Sequence, residues 1–91
     1  MLPETFNYCN VELKPTNKAY VELAYWLENN KNGWKNTPAY YIPTTIFKSE
    51  LISINILETS VVINYSNNGI DWIQVIKGKQ QNELLMSCKN S

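Results

Sequence analysis

Hydrophobic residues recur with the period of an α-helix in residues 16–31 and alternate with polar residues over much of the rest of the chain. Pro15 and Gly33 bound the helical stretch, in keeping with the preference for proline near a helix start and glycine past its end. Its apolar face has a centre and two flanks, formed by Tyr20, Leu23, Ala24, Leu27, Ala19, Val21 and Trp26. A face this wide predicts a helix that lies across a sheet with a second surface against its flank.

The segments on either side of the helix differ in pattern. Residues 8–14 alternate between apolar and polar side chains and predict one half-buried strand. Residues 29–38 combine asparagine, lysine, glycine and proline, which is typical of a loop, and Trp34 is its one large apolar residue. Residues 40–48 turn to β-branched and aromatic side chains and predict a strand that Pro43 confines to a sheet edge.

Residues 51–57 show the cleanest alternation in the chain. It directs three side chains toward the core, those of Ile52, Ile54 and Ile56. Ser53 and Asn55 occupy the intervening positions, so we expect them to face solvent. The polar residues 58–60 then predict a turn into the next strand.

The strongest short-range signal is the Asn68-Gly69 pair, because asparagine and glycine tolerate the positive φ of a hairpin turn. It predicts a hairpin between strands at residues 61–65 and 70–77. Residues 82–88 predict a final strand, with a short terminal helix as the alternative. The whole pattern indicates a single α+β domain spanning residues 1–91, with two layers: a strand, a helix and an antiparallel β-meander, the helix packed on one sheet face.

The composition excludes several classes of chemistry. The chain has no histidine, the usual general base, proton shuttle and zinc ligand, and all its basic residues are lysine. Without arginine it lacks the residue that grips phosphate and guanine with two hydrogen bonds. The carboxylates fall at outer strand positions, the polar helix face or turns, where they are ordinarily solvated. We therefore predict no enzyme activity and no catalytic, cofactor-binding or metal-binding residues.

Compartment and association follow from charge and from the start of the chain. Eight basic residues offset eight acidic ones, and a surface with zero net charge favours association, with a second copy of itself or with another protein. The start has neither a basic nor an apolar run, so we expect a cytoplasmic protein, and no apolar stretch is long enough for a membrane partner. In that compartment Cys9 and Cys88 are expected as reduced thiols, with a bridge between them as the alternative.

Aromatic residues are the one surplus, with three tryptophans and six tyrosines. Trp34 in the polar loop and Tyr25 on the polar side of the helix are the leading candidates for a protein-binding surface, since such residues dominate interface energies. Packing of Trp34 back onto the helix is an equal alternative. Four further residues complete the candidate partner-binding set: Glu22, Tyr40, Tyr41 and Asp71.

Size and missing chemistry together favour a non-enzymatic protein that binds and sterically neutralises another protein, as inhibitors, immunity proteins and antitoxins do. A basic partner such as a nuclease toxin would meet acidic residues, for which the candidates are Glu22, Glu28, Glu58 and Asp71. A homo-oligomeric structural subunit is the first alternative. The second is a weak single-stranded nucleic-acid binder, with an aromatic platform of Tyr40, Tyr41, Tyr65 and Trp72, which the zero net charge disfavours.

Overall fold

The computed structural model describes residues 2–36 and 45–84, apart from the side chain of Thr45. Within these residues one helix packs with a seven-stranded sheet whose described pairings are all antiparallel. The elements are β1 (Phe6–Tyr8), β2 (Val11–Leu13), α1 (Lys18–Glu28), β3 (Lys35–Asn36), β4 (Thr45–Lys48), β5 (Ile52–Ile56), β6 (Ser60–Ser66) and β7 (Trp72–Gly78). The sheet order is β2-β1-β4-β5-β6-β7-β3. The predicted α+β class, one helix with an antiparallel meander, is confirmed.

The meander β4 to β7 sets the two faces of the sheet. Phe47 pairs with Ile54, Ile54 with Ile63, and Ile63 with Val75, so these residues lie on one face across four strands. Helix α1 packs on this face, as the composition of the core cluster shows. Ile54 is fully buried there, which confirms the inward direction predicted for the isoleucines of β5.

Aromatic rings fill the core between α1 and the first strands. The Phe6 ring lies 5.7 Å from both the Tyr20 and the Phe47 rings, and Tyr8 stacks on Phe47 at 4.6 Å. These separations are those of favourable aromatic pairs. The buried hydrophobic set of this core is Phe6, Leu13, Tyr20, Leu23, Trp26, Phe47, Ile54, Ile56 and Val61.

The opposite face of the sheet is not fully solvated. Asn55, expected to face solvent, is only 4% exposed, and Val62 beside it is 0% exposed. The Asn55 amide donates a hydrogen bond from Nδ2 to the carbonyl oxygen of Val62 at 3.1 Å. Because its amide is satisfied by the neighbouring strand, Asn55 tolerates burial without water. The expectation of an exposed Asn55 is therefore wrong.

The segment at residues 8–14 forms a tight hairpin instead of one strand. Phe6 pairs with Leu13 and Tyr8 with Val11, and the two residues between them have positive φ, 54° at Cys9 and 62° at Asn10. These φ values are those of a two-residue hairpin turn. Asparagine is common in such a turn and cysteine is not, so the sequence does not predict a turn here. Cys9 is also disulfide-bonded, so the expectation of a reduced thiol there is wrong; Cys88, the other cysteine, lies outside the described residues.

Helix α1 is shorter than the predicted residues 16–31 at both ends. The Asn17 side chain accepts a hydrogen bond from the Lys14 backbone N–H at 2.7 Å and does not cap the helix. At the other end the Asn29 and Asn30 side-chain amides donate to the carbonyl oxygens of Tyr25 and Trp26, at 2.9 and 2.8 Å. These two side chains bind carbonyl groups of the last helical turn, so the helix ends before Gly33.

The buried face of α1 is also narrower than the apolar face predicted from the sequence. Val21 is 52% exposed, whereas Tyr20, Leu23 and Trp26 are buried.

The described part of the chain contains no helix long and apolar enough to cross a membrane.

The sheet edges differ from those predicted. Strand β3 lies inside the expected loop at residues 29–38 and pairs with β7, with Lys35 opposite Ile76. Strand β4, expected at an edge, lies between β1 and β5 because the unforeseen β1–β2 hairpin adds two strands beyond it. Among the described strands the edges are β2 and β3, and Pro43 lies outside the described residues. Short edge strands of this kind offer little template for further pairing.

The hairpin between β6 and β7 is confirmed. Ser66 pairs with Trp72, so the connection is the loop of residues 67–71, longer than the tightest turn, and Gly69 has φ of 78° within it. The described part of the predicted final strand, residues 82–84, contains no strand, and its remainder lies outside the described residues.

Candidate functional site

An open groove lies on the helix side of the sheet, where β5, β6 and β7 extend past α1. Its larger part has a volume of about 830 Å³. Most of the lining is apolar, including Leu2, Trp34, Leu51, Ile52, Ile63 and Val75. Glu50 and Tyr65 are among the polar side chains that reach it. Below, the apolar groove means this cavity together with its smaller neighbour.

The smaller neighbour continues the groove along the helix. It has a volume of about 510 Å³ and is lined by the Tyr20, Ala24 and Leu27 side of α1. Leu2, Ile52 and Ile63 line both cavities. The two cavities are therefore parts of one depression between α1 and the sheet, with Leu2 at the boundary.

The chain's own residues 2 and 3 lie in the groove. Tyr20 donates a hydrogen bond from its hydroxyl to the carbonyl oxygen of Pro3 at 2.5 Å. Leu2 packs against the buried core and separates the two cavities. The groove thus holds a segment without regular secondary structure through one apolar side chain and one backbone hydrogen bond.

Trp34 forms one wall of the groove, and its position results from packing. Its indole N–H donates to the carbonyl oxygen of Asn30 at 2.7 Å, and its ring meets the Trp26 ring edge to face at 6.1 Å. Gly33, with φ of 88°, turns the chain so that the indole returns to the helix, and Lys77 Nζ donates to the Asn32 carbonyl at 2.6 Å. Trp34 remains partly exposed on its groove side.

Glu22 and Tyr25 are brought together on the outer side of α1, away from the groove. They line a separate depression of about 250 Å³ together with Trp26 and Glu83. Tyr25 is 73% exposed there. We call this pair the helix flank.

The electrostatics of the helix flank involve two neighbours. The backbone N–H of Gln80 donates to Glu83 Oε1 at 3.0 Å, and this bond, with the nearby Trp26 indole, lowers the pKa of Glu83. The Trp26 Nε1 contact with Glu83 falls short of a hydrogen bond, because this buried N–H has no partner within bonding geometry in the described structure. Burial, and then the Glu22 carboxylate, raise the pKa of Tyr8. These shifts are those of surface groups and do not assemble an acid–base pair.

The other predicted site residues lie elsewhere. Asp71 is exposed in the β6–β7 loop, where its carboxylate accepts a hydrogen bond from Asn68 at 3.2 Å. Tyr40 and Tyr41 lie outside the described residues. Of the predicted partner-binding set, the structure therefore groups Glu22 with Tyr25 and separates both from Trp34 and Asp71.

The four acidic candidates do not form one surface. Glu28, the last residue of α1, pairs with Lys31 at 2.9 Å, and Glu58 accepts a hydrogen bond from Gln81 at 2.7 Å in the β5–β6 turn. Asp71 lies at the opposite end of β6, in the β6–β7 loop. Charge complementarity to one basic site is therefore not built from Glu22, Glu28, Glu58 and Asp71 together.

The aromatic platform predicted for nucleic acid is divided by the sheet. Tyr65 pairs with Ile73 and faces the groove, whereas Trp72 pairs with Ser66 and faces the other side. Successive bases stack on rings that share a face, so Tyr65 and Trp72 do not serve one strand.

A second apolar surface surrounds the β6–β7 loop and was missed by sequence reasoning. Ile70 is 80% exposed and Trp72 is 52% exposed. We call these two residues the hairpin-tip patch. Leu51 lines the apolar groove and Ile73 pairs with Tyr65 on the groove side of the sheet, so neither belongs to this patch. Its signal in the sequence is an isoleucine directly after the Asn-Gly turn, where a polar residue is usual.

The groove residues were also missed as a site. Alternation assigned Ile52 to the core, and the described residues leave Ile52, Ile63 and Val75 partly exposed. In residues 2–36 and 45–84 no group of three histidine, cysteine, aspartate or glutamate side chains is placed to hold a metal ion.

No known family model, curated protein or solved structure matches this chain.

Proposed function

We propose that this protein is a non-enzymatic binding module that takes an apolar segment of a protein partner into the apolar groove and neutralises that partner sterically. The observation that carries the proposal is the groove's occupation by residues 2 and 3, beside about 830 Å³ of further apolar space. An inhibitor, immunity protein or antitoxin would act in this way, without chemistry of its own.

The shape of the groove favours a protein segment over a small molecule. Small-molecule sites enclose most of their ligand and converge several polar groups on it. This groove is open along its length, and aliphatic side chains dominate its lining. Exposed apolar surface of this kind, with polar residues at its margin, is typical of sites for protein segments.

Two wall residues suit the role of anchors. Trp34 is held by its bond to Asn30 and by the Trp26 ring, so little side-chain entropy is lost when a partner contacts its exposed side. Tyr65 presents an aromatic ring to the same cavity from β6. Tryptophan and tyrosine held in this way are the residues that most often dominate interface energies.

The test is capture of a partner from host lysate by the tagged protein, compared with two matched variants. Val75→Glu places a charge in the groove, and Val21→Glu makes the same change on the exposed outer side of α1. We expect wild type and Val21→Glu to retain one stoichiometric partner, and Val75→Glu to bind the purified partner at least about tenfold more weakly, from a cost of about 1.4 kcal/mol or more.

The controls decide how each outcome is interpreted. Circular dichroism and thermal melting first establish that both glutamate variants are folded. Equal binding by the folded Val75→Glu variant contradicts the groove as the site, and loss of binding in Tyr25→Ala instead assigns it to the helix flank. Absence of any stoichiometric partner in the wild-type capture contradicts the proposed function itself.

A homo-oligomer is the second candidate, and the hairpin-tip patch is the observation that favours it. Ile70 and Trp72 expose apolar surface on a chain of zero net charge, which favours self-association. Light scattering across a concentration series measures the mass directly. A dimer that dissociates in Ile70→Lys supports this candidate, and a monomer at all concentrations excludes it.

A further inference from the structure

The loop between β6 and β7 directs hydrogen bonds onto one side chain, that of Asn68. Its Oδ1 accepts from the backbone N–H of Ile70 at 2.8 Å and of Asp71 at 2.9 Å. The Ser66 hydroxyl donates to the same oxygen at 3.3 Å. Three donors therefore polarise the carbonyl of one exposed amide.

The groups around that amide complete an arrangement with chemical consequences. The next backbone nitrogen, that of Gly69, donates its N–H to Ser66 Oγ at 2.7 Å, so the serine oxygen is positioned to accept its proton. The amide nitrogen of Asn68 donates to Asp71 Oδ2 at 3.2 Å. Gly69 carries no side chain that could obstruct an approach to Asn68.

We propose that Asn68 is a site of self-catalysed deamidation through a cyclic imide. The Gly69 nitrogen forms a bond to Asn68 Cγ as its proton passes to Ser66 Oγ and the Ser66 hydroxyl proton passes to Asn68 Oδ1, which leaves Cγ tetrahedral and uncharged. The bond from Cγ to Nδ2 then breaks as the Oδ1 proton passes through the Ser66 hydroxyl to Nδ2, and Nδ2 leaves as ammonia. Water subsequently adds to either carbonyl of the imide and opens it to aspartate or isoaspartate, with no change in oxidation state.

The loop provides this reaction with hydrogen-bond donors for the developing charge and with a hydroxyl group for proton transfer. When Gly69 adds to Cγ, negative charge develops on Oδ1, and the Ile70 and Asp71 N–H groups lie within the range of effective oxyanion donors. The Ser66 hydroxyl accepts from Gly69 and donates to Asn68 Oδ1, so it can relay the proton between them. The folded loop holds these groups together, so little entropy is lost on reaching the transition state.

The product changes the charge and order of the loop. A carboxylate at position 68 replaces the amide that donates to Asp71, so an attraction between the two side chains becomes a repulsion. The net charge of the chain falls from zero to one negative charge. Ser66 and Asn67 also line the apolar groove, so the change occurs at one end of that surface.

The experiment compares the rate of conversion in the folded chain and in the same chain held unfolded in urea, at one mildly alkaline pH. Ion exchange separates the more acidic product, and peptide mapping with isoaspartate detection assigns the position. We expect Asn68 to convert about tenfold faster when folded, a fraction of the ~10²–10³ that one oxyanion donor contributes in enzymes.

Two variants test the mechanism. Asn68→Gln removes the susceptible side chain, and we expect the acidic product to disappear. Ser66→Ala removes the proton relay, and we expect the folded rate to fall toward the unfolded rate while circular dichroism stays unchanged. A folded wild-type rate equal to or below the unfolded rate overturns the proposal even if the serine variant fails to fold. Conversion mapped to another asparagine also overturns it.

Discussion

The two halves of the helix-facing sheet surface carry the same kinds of residue and have different fates. On β5, Ile54 and Ile52 are two positions apart on one face, yet Ile54 is 0% exposed and Ile52 is partly exposed in the groove. On β6 the same contrast separates Val61, which is 0% exposed, from Ile63. We call the part of this face around Ile54 and Val61 the sealed half, and the part around Ile52 and Ile63 the open half. The sealed half lies under the aromatic core, and the open half lies beyond that core.

Alternation specifies the direction of a side chain and leaves its coverage open. Ile52 and Ile54 point to the face predicted from the pattern, and Val61 and Ile63 share that face through their pairing with β5. What seals one half is the aromatic group around Phe6, Tyr20 and Phe47, contributed by three different elements. Among the described residues, the open half has residues 2 and 3, Trp34 and the Ala24 and Leu27 side of α1 beside it, and these leave Ile52 and Ile63 partly exposed.

The largest expected effect comes from truncating one isoleucine in each half. Ile54→Ala leaves a cavity in a closed core, and we expect the free energy of unfolding to fall by about 3–4 kcal/mol. Ile52→Ala removes the same atoms from a partly exposed position, and we expect a loss of about 1–2 kcal/mol. Urea unfolding of the two variants measures both values, and equal losses would contradict the division into sealed and open halves.

The disulfide at Cys9 is expected to stabilise the folded chain as a whole. Breaking it should lower the free energy of unfolding by about 2–4 kcal/mol, because a cross-link restricts the unfolded chain. Urea unfolding with and without a thiol reductant measures the difference. Cys9→Ser is the matched control, since reductant should not alter its stability. An unchanged wild-type midpoint would show that the bridge contributes nothing.

The bond that holds residues 2 and 3 in the groove is expected to contribute less. Tyr20→Phe removes the hydroxyl that donates to Pro3 and keeps the ring in the core, so we expect a loss of about 1 kcal/mol. Tyr25→Phe makes the same change at an exposed position and should leave the urea midpoint in place. A loss in Tyr20→Phe no greater than in Tyr25→Phe would show that the anchor is unimportant.

The smallest effect concerns pH at the helix flank, outside both halves. The pKa of Glu83 is lowered from its usual 4.5 in the folded chain, so its stabilising contribution is present above that value and disappears as pH falls through the lowered pKa. Glu83→Gln should therefore reduce stability slightly at neutral pH and not in strong acid. Urea midpoints at the two pH values measure this, and a loss equal at both would contradict it.

Sequence reasoning located the elements that local physics decides. The β6–β7 hairpin was predicted because the Asn68-Gly69 pair is typical of a turn. Strand β5 was predicted because its isoleucines alternate with polar residues. The β1–β2 hairpin was not, because its turn places Cys9 at positive φ, where cysteine is rare. Strand β3 was missed because two paired residues carry no periodic signal.

The candidate site was less predictable for a physical reason. Trp34 was singled out either to bind a partner or to pack on the helix, and its contact with Trp26 is the packing alternative, while its binding role stays a prediction. Ile63 and Val75 were not singled out, because a groove residue and a core residue have the same pattern. Which of the two a residue becomes depends on contacts distant in the chain, such as that between Tyr20 and Pro3.

Covalent footprinting of the free protein shows whether half of one apolar sheet face is open to a partner. A photoactivated carbene reagent inserts into accessible apolar side chains, and mass spectrometry locates the label. We predict label on Ile52, Ile63 and Val75 and none on Ile54 or Val61. Equal protection of all five would show a closed core in solution and would contradict the account.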